Sequence, residues 1–301
     1  MSQEPDKRIG QDDPEYEREQ EAARRKLLRQ TWIARNNLYI ELFGKPNYVS
    51  PASYAAPSGE MPDAIPDENT QSSMSALSAS GRAALGEGGD PGDPDPSEQN
   101  LAVLAYGPDP LRPYWTYVTA GVSSPWVQST PQEVSGFGLE FMIKSPVDHP
   151  FAPQLLRTLA FYIFNHAGVI SPGVRIGLNG PVIPDSDSLI RNAIIWYADE
   201  APDCWYQLPS GGFGMFLAIG ITEAEAKYAQ SVEKYGTWCV EQLLRRKGIG
   251  QVTDPYRRCT MDDADTPEML QSIKLFADTF RENEESMELG SAAQISSDFS
   301  F

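Results

Sequence analysis

Histidine and cysteine are scarce in this 301-residue sequence, with two of the first and three of the second. Two histidines rule out a three-histidine zinc centre. The cysteines, Cys204, Cys239 and Cys259, form no CxxC pair, and their odd number fits a reducing compartment better than a disulfide framework. No run approaches the roughly 18–20 apolar residues that a membrane helix requires. The opening MSQEPDKRIGQDD has no apolar core of the kind a secretory signal needs. Positive charge is short too: 24 lysines and arginines face 42 acids, for a formal net charge of −18. Contacts to phosphates need a basic footprint, so nucleic acid is disfavoured as a partner. The expectation is a cytoplasmic protein with no membrane partner, and the sequence sets no oligomeric state.

The charge is not spread evenly. Residues 1–100 carry 18 acids and 10 bases and residues 261–301 carry 10 and 2, whereas residues 101–260 are near balance at 14 and 12. The acidity therefore belongs to the flanks. Residues 1–14 read as a charged tail and 15–44 as a helix, with Leu28, Trp32, Tyr39 and Phe43 close to i, i+4 spacing before Gly44. Residues 45–100, centred on ALSASGRAALGEGGDPGDPDPSEQ, are too poor in apolar residues to fold alone and read as a linker or insertion. The DPGDPDP run is no calcium loop, because the glycine and glutamate positions of an EF-hand are missing. Residues 262–301 read as an acidic C-terminal helix and tail.

Between them, 101–261 alternates strands and helices. LAVLAY (101–106) and YWTYVTAG (114–121) have strand composition. SGFGLEFMIK (135–144) raises the possibility of a phosphate-binding glycine loop, but its period is two. Phe137, Leu139, Phe141 and Ile143 share one face; Gly138, Glu140, Met142 and Lys144 share the other. No helix start, lysine and hydroxyl follow at the offsets a phosphate cradle uses, so this is a strand. Leu155, Leu156, Leu159, Tyr162, Ile163 and His166 form a helical stripe that starts near Pro153 and stops at Gly168. Strands follow near 174–178, 192–198 and 213–221. Thr222 and Glu225 then have capping-box spacing for a helix, and a further helix spans about 237–247. TDPYRRCTM (253–261) reads as a turn and a last strand. The fold class expected is α+β (mixed α/β), with one main β-sheet and flanking helices.

Five blocks resemble the suppressor of fused domain, in its order and near its spacing: YWTYVTAG, SGFGLEFMIK, LLRTLAFYIF (155–164), FGMFLAIGITEAEAKYAQ (213–230) and VTDPYRRCTM (252–261). The helix around 32–43 and Gly-Pro-Asp-Pro at 107–110 are similar to the family's beginning. The resemblance implies a binding module. Animal members of the family sequester zinc-finger transcription factors of Hedgehog signalling by gripping an extended peptide between two lobes. A tyrosine after a Leu-Ala pair helps contact that peptide, and Tyr162 stands in its place. An aspartate that follows a glycine downstream also contacts it, but here Gly173 is followed by Val174. Single-domain members resemble immunity proteins encoded beside polymorphic toxins.

The remaining polar residues are read as structural. Asp148 and His149, adjacent in sequence, point apart; Cys204 in DCWYQ is read as packed, and Asp199, Glu200 and Asp203 as a solvated loop. Arg245, Arg246, Lys247, Arg257 and Arg258 are the one basic concentration, able to face an acidic partner, the acidic C-terminal tail or solvent. No catalytic residue, metal ligand or cofactor is assigned. The candidate partner-binding residues are Tyr162, Trp115, Tyr117, Arg257 and Arg258. The expected function is non-catalytic sequestration of another protein, a basic toxin domain neutralised by an immunity protein; the alternative is an intracellular adaptor that captures an extended peptide.

Overall fold

The computed structural model describes residues 14–52, 101–166, 170–232 and 235–279. The N-terminal tail, most of the 45–100 insertion, Gly168, the His166 side chain and the end of the acidic tail lie outside them. Eight strands form one mixed sheet: β1 (Tyr48–Ala52), β2 (Leu101–Tyr106), β3 (Trp115–Ala120), β4 (Val134–Ser145), β5 (Arg175–Gly177), β6 (Ile190–Tyr197), β7 (Tyr206–Leu208) and β8 (Gly211–Thr222). Their order is β1-β2-β3-β4-β8-β6-β5, with β7 paired to β8. β4 and β8 run parallel, while the other registered pairs are antiparallel. This is the mixed α/β class expected.

The chain divides into two compact units, one of residues 1–170 and 197–217, the other of 171–196 and 218–301. In the first, α1 (Pro14–Phe43) and α2 (Phe151–His166) cover opposite faces of the sheet. Strand alternation shows which. Phe43 packs on Tyr106, a register partner of Thr116, which in turn pairs with Lys144. Arg157 of α2 reaches Ser50, on the face of Tyr48, Ala105, Tyr117 and Ile143. The α2 stripe is buried at Leu155, Leu156, Leu159 and Ile163, as its spacing predicts.

α1 is held by polar contacts that no local pattern announces. Tyr39 donates to the Thr119 carbonyl at 2.8 Å, and Arg35 reaches Ser124 Oγ at 2.9 Å and Glu140 Oε1 at 3.5 Å. The buried Glu140 carboxylate accepts from the backbone N–H groups of Gly121 and Ser123, each at 2.9 Å, and from the hydroxyls of Thr119 and Ser123. It fixes the turn after β3, because a buried charge is tolerated only when so fully hydrogen-bonded.

In the second unit, α3 (Glu223–Ser231) and α4 (Gly236–Arg246) follow β8, and a fifth helix, α5, spans 266–279. The capping box at Thr222 and Glu225 is present. Cys239 and Leu243 of α4 pack with Leu270 and Ile273 of α5 in a buried cluster. α5 is thus part of the core, so the boundary drawn at 261 divides a packed unit.

Three other expectations change. Residues 253–261 form turns and a 3-10 turn at Thr260–Asp262, not a strand. Asp254 organises them: its carboxylate accepts from the Tyr256 N–H and its carbonyl from the Arg257 N–H, which takes those donors away from any ladder. β1 lies inside the expected linker; it escapes notice because 48 residues separate it from its partner β2. β7 was also not expected, being three residues long and formed only by its pairing to β8.

Candidate functional site

The two glycines of SGFG permit close approach of backbone and aromatic rings. Gly136 has φ +56°, and a Cβ there would stand 2.2 Å from the Ser124 carbonyl oxygen. Gly138 has φ +73°, and its Cβ would meet Val134 at 2.6 Å. Both conformations suit glycine, since other residues seldom adopt them. Together they bend the start of β4, where its register to β8 shifts between Val134 and Leu139. Phe137 is presented there, its amide donating to the Val122 carbonyl at 3.1 Å and its ring 5.2 Å from Phe164 of α2.

β8 continues this face. Leu139 and Phe141 are register partners of Gly214 and Phe216, so Gly212, Gly214 and Phe216 share the face that α2 covers over β4. Two glycines leave a shelf there, and the Trp205 indole lies on it: a Cβ on Gly212 would stand 1.9 Å from the indole nitrogen. A Cβ on Gly214 would meet the Phe216 ring at 2.7 Å, and Tyr197 packs edge-on to that ring at 6.4 Å. Trp205 is nonetheless 51% exposed and Phe137 39%; Val134 and Tyr197 are exposed as well. The first unit therefore presents a shelf of aromatic groups held from below by glycine. A rigid indole loses little entropy on being covered, and aromatic groups of this type dominate interface energies.

The sequence candidates separate. Tyr162, on α2, is 49% exposed. Trp115 is half-buried, with its ring centroid 6.1 Å from Tyr48 and 6.3 Å from Tyr117. Tyr117 is 0% exposed, and its hydroxyl donates to Asp148 Oδ1 at 2.7 Å. It is thus a core residue, and its proposed place in an exposed anchor is corrected. Tyr48 donates to the same oxygen at 2.6 Å. Burial and then that hydrogen bond push the Tyr48 phenol up to about 12. Both phenols are proton donors to Asp148, with no sign of nucleophilic activation.

Arg257 is also corrected. It is 8% exposed, and its guanidinium donates to both Glu225 oxygens, at 2.7 and 2.5 Å, and to the Gly220 carbonyl at 3.1 Å. Thr260 adds its N–H and hydroxyl to the same carboxylate. Burial pushes the Glu225 carboxyl up, but Arg257 and the flanking donors outweigh it and hold it below its ordinary range. Arg258 is exposed. The rest of the basic run is partly engaged: Arg245 with Glu241, and Lys247 with Asp263 and Asp265. Lys247 thus meets acids at the start of the C-terminal segment.

Two other readings change. Cys204 is exposed rather than packed. Glu200 forms an ion pair with Lys144 at 2.5 Å and accepts from the Tyr114 hydroxyl, so it is no free loop carboxylate. His149 Nδ1 accepts from the Phe151 N–H at 3.2 Å at the entry to α2. Among the described residues no group of three or more histidine, cysteine, aspartate or glutamate side chains is placed to hold a metal ion, and no helix is long and apolar enough to cross a membrane. Trp205 and the glycine shelf went unnoticed in the sequence; the signal was DCWYQ followed closely by SGGFG.

The family model for suppressor of fused protein matches residues 97–258, more than half of the chain. The chain belongs to the suppressor of fused family. A comparison with curated proteins finds no match. Among solved structures, the chain is similar to that of the Sufu–Fu complex, at 17% identity, covering 58% of this chain and 81% of that one with a TM-score of 0.47. It is similar to Drosophila Suppressor of Fused at 16% identity and a TM-score of 0.49, covering 58% of this chain and 45% of that one. A suppressor of fused homolog from Neisseria gonorrhoeae FA 1090 matches at 20% identity and a TM-score of 0.41, over 55% of this chain and 80% of that one. The family match ends at 258, before α5.

Proposed function

We propose that this suppressor of fused family member is a non-catalytic protein-binding module that sequesters a partner protein, and that the aromatic shelf of the first unit is where the partner docks. The observation that carries the reading is the exposed Trp205 indole seated on Gly212 with Phe137, Val134 and Tyr197 also exposed on the same unit. Tyr162 and Trp115, exposed and half-exposed on that unit, extend the candidate surface, and Arg258 is the remaining candidate on the second unit. Tyr117 and Arg257 are buried and are left out of that surface. Mechanistically the module covers its partner: apolar anchors supply residence time, and the net charge of −18 speeds encounter with a basic protein. The finer reading is a cytoplasmic immunity protein that neutralises a basic toxin domain.

The test is capture by the tagged full chain from its native cells, with photo-crosslinkers placed at positions 137, 162 and 205. One protein crosslinked at those positions, encoded beside this gene and toxic unless this chain is co-expressed, is the expected result. Crosslinks that avoid all three positions, or no retained protein, would sink the proposal. A second reading, capture of an extended peptide by strand addition, has the edge strand β5 in its favour, since β5 ends the strand order beside β6. Tight binding of a short linear peptide, with protection confined to β5, would select it.

A further inference from the structure

One asparagine in the sequence is followed by glycine: Asn179, in LNGP (178–181). It stands two residues past β5, in the loop that leads to β6. That loop is pinned on both sides of it. The Leu178 N–H donates to the Arg191 carbonyl at 2.9 Å, and the Val182 N–H to the Ile190 carbonyl at 2.8 Å. Between those points Asn179 is exposed, with φ +57°, a left-handed conformation that asparagine tolerates better than most residues. Gly180 is open, since a Cβ built on it would meet no heavy atom within 4 Å. Among the described residues no hydrogen bond joins the Asn179 side chain or the Gly180 N–H. Other asparagines are held. Asn36 and Asn37 lie within α1, where backbone amides are tied into the helix. Asn47 Oδ1 accepts from the Gly107 N–H at 2.5 Å, and Asn192 Nδ2 donates to Glu223 Oε2 at 2.9 Å.

The Asn179 Cγ and the Gly180 nitrogen need no tertiary contact to meet. Only Cβ, Cα and the backbone carbonyl carbon separate them, so a bond between the two closes a five-membered ring. Glycine has no Cβ to crowd the attacking nitrogen. We propose that Asn179–Gly180 is a self-modification site, at which the asparagine cyclises and reopens as aspartate or isoaspartate without an enzyme. The Gly180 N–H gives its proton to a solvent base, and the nitrogen attacks Cγ. The N–Cγ bond forms, the Cγ–Nδ2 bond breaks, and Nδ2 takes up a proton and leaves as ammonia. Water then adds to one carbonyl of the resulting succinimide. Opening at Cγ leaves aspartate; opening at the backbone carbonyl leaves isoaspartate, with the chain running through Cγ. Nothing is oxidised or reduced, and water is the only reactant consumed. Either product puts a carboxylate just past β5. Isoaspartate also lengthens the backbone by one carbon between the fixed points at Leu178 and Val182.

The experiment incubates the full chain in mildly alkaline, heavy-oxygen water and follows each asparagine by peptide mapping and mass spectrometry. Gly180→Ala and a synthetic peptide of residues 174–183 are treated in parallel. Alanine fits at 180, where the space is open and the backbone is not left-handed, so this variant keeps its thermal midpoint while its Cβ crowds the nitrogen. Asn179 should convert faster than Asn36, Asn37, Asn47 and Asn192, at a rate comparable to that of the peptide. Both aspartate and isoaspartate should form, each with solvent oxygen in the new carboxylate. Raising the alkalinity should speed the conversion, and Gly180→Ala should slow it severalfold. Asn179 left intact while the peptide converts would mean that the fold keeps the ring from closing, and would overturn the proposal. So would aspartate without isoaspartate, which marks direct attack of water on the side chain, or a Gly180→Ala variant that converts as fast as the unsubstituted chain.

Discussion

Replacing Arg257 by leucine separates the sequence expectation from the structure by a wide margin. As a surface contact, Arg257 could be removed with little effect on stability, since isolated exposed charges contribute about 0–1 kcal/mol. The structure has it buried, with both terminal nitrogens on the Glu225 carboxylate and one also on the Gly220 carbonyl. Leucine would leave that carboxylate in the core with only Thr222 and Thr260 as donors. Losing one partner of a buried pair costs about 3–5 kcal/mol, which is about two to three and a half decades in the folding constant. The dependence on pH gives an internal control. The folded Glu225 carboxyl titrates below its unfolded value because of Arg257, so its contribution is present above the unfolded value of about 4.3. It is lost as pH falls through the folded value. In the Arg257→Leu variant, burial acts without the arginine and the carboxyl shifts upward. Urea titrations of both proteins should therefore show a gap at pH 7 that starts to narrow as pH falls through the variant's raised carboxyl value, above the ordinary value of about 4.3, and goes on narrowing down to the lowered value of the unsubstituted protein. A variant within about 0.5 kcal/mol of the unsubstituted protein at pH 7 would refute the burial argument, and a gap unchanged by acid would refute the charge argument.

Other outcomes follow from packing. Leu270→Ala should cost about 2–5 kcal/mol by opening a cavity against Cys239 and Leu243; for the same reason deleting residues 262–301 should unfold the second unit, and circular dichroism showing an intact domain would contradict this. Gly136→Ala should destabilise by at least about 1–2 kcal/mol from its left-handed backbone alone, with the Ser124 carbonyl adding to that; an unchanged thermal midpoint would count against the bend. Ultraviolet titration of phenolate should find the Tyr48 phenol ionising at about 12, and Asp148→Asn should lower that value by removing the acceptor carboxylate.

Much of the fold was legible because it rests on short-range pattern. The α2 stripe, the alternation through Phe137 to Ile143 and the capping box at Thr222 and Glu225 each lie within one element. What was missed depends on partners far along the chain. Glu225 is 32 residues before Arg257, so nothing near RRC marks the second arginine-rich position as buried. Tyr117 alternates as a half-exposed strand residue should, yet it is buried, and its hydroxyl is taken up by Asp148, 31 residues on. Glu140 and Lys144 read as the polar face of a strand and are instead buried under α1 with their own counter-charges. The shelf is a case of the same kind. Trp205 stays exposed because Gly212 leaves no side chain for it to pack beside, only a surface to lie on, and no periodicity encodes that.

Calorimetric titration of the captured partner into the unsubstituted chain and into Trp205→Ala tests the central claim most directly. A half-exposed indole lying over glycine can be removed without opening the core, so the thermal midpoint should hold. Affinity should fall at least about tenfold, as expected for a hot-spot residue. Equal affinity for the two proteins would place the partner elsewhere and contradict the account.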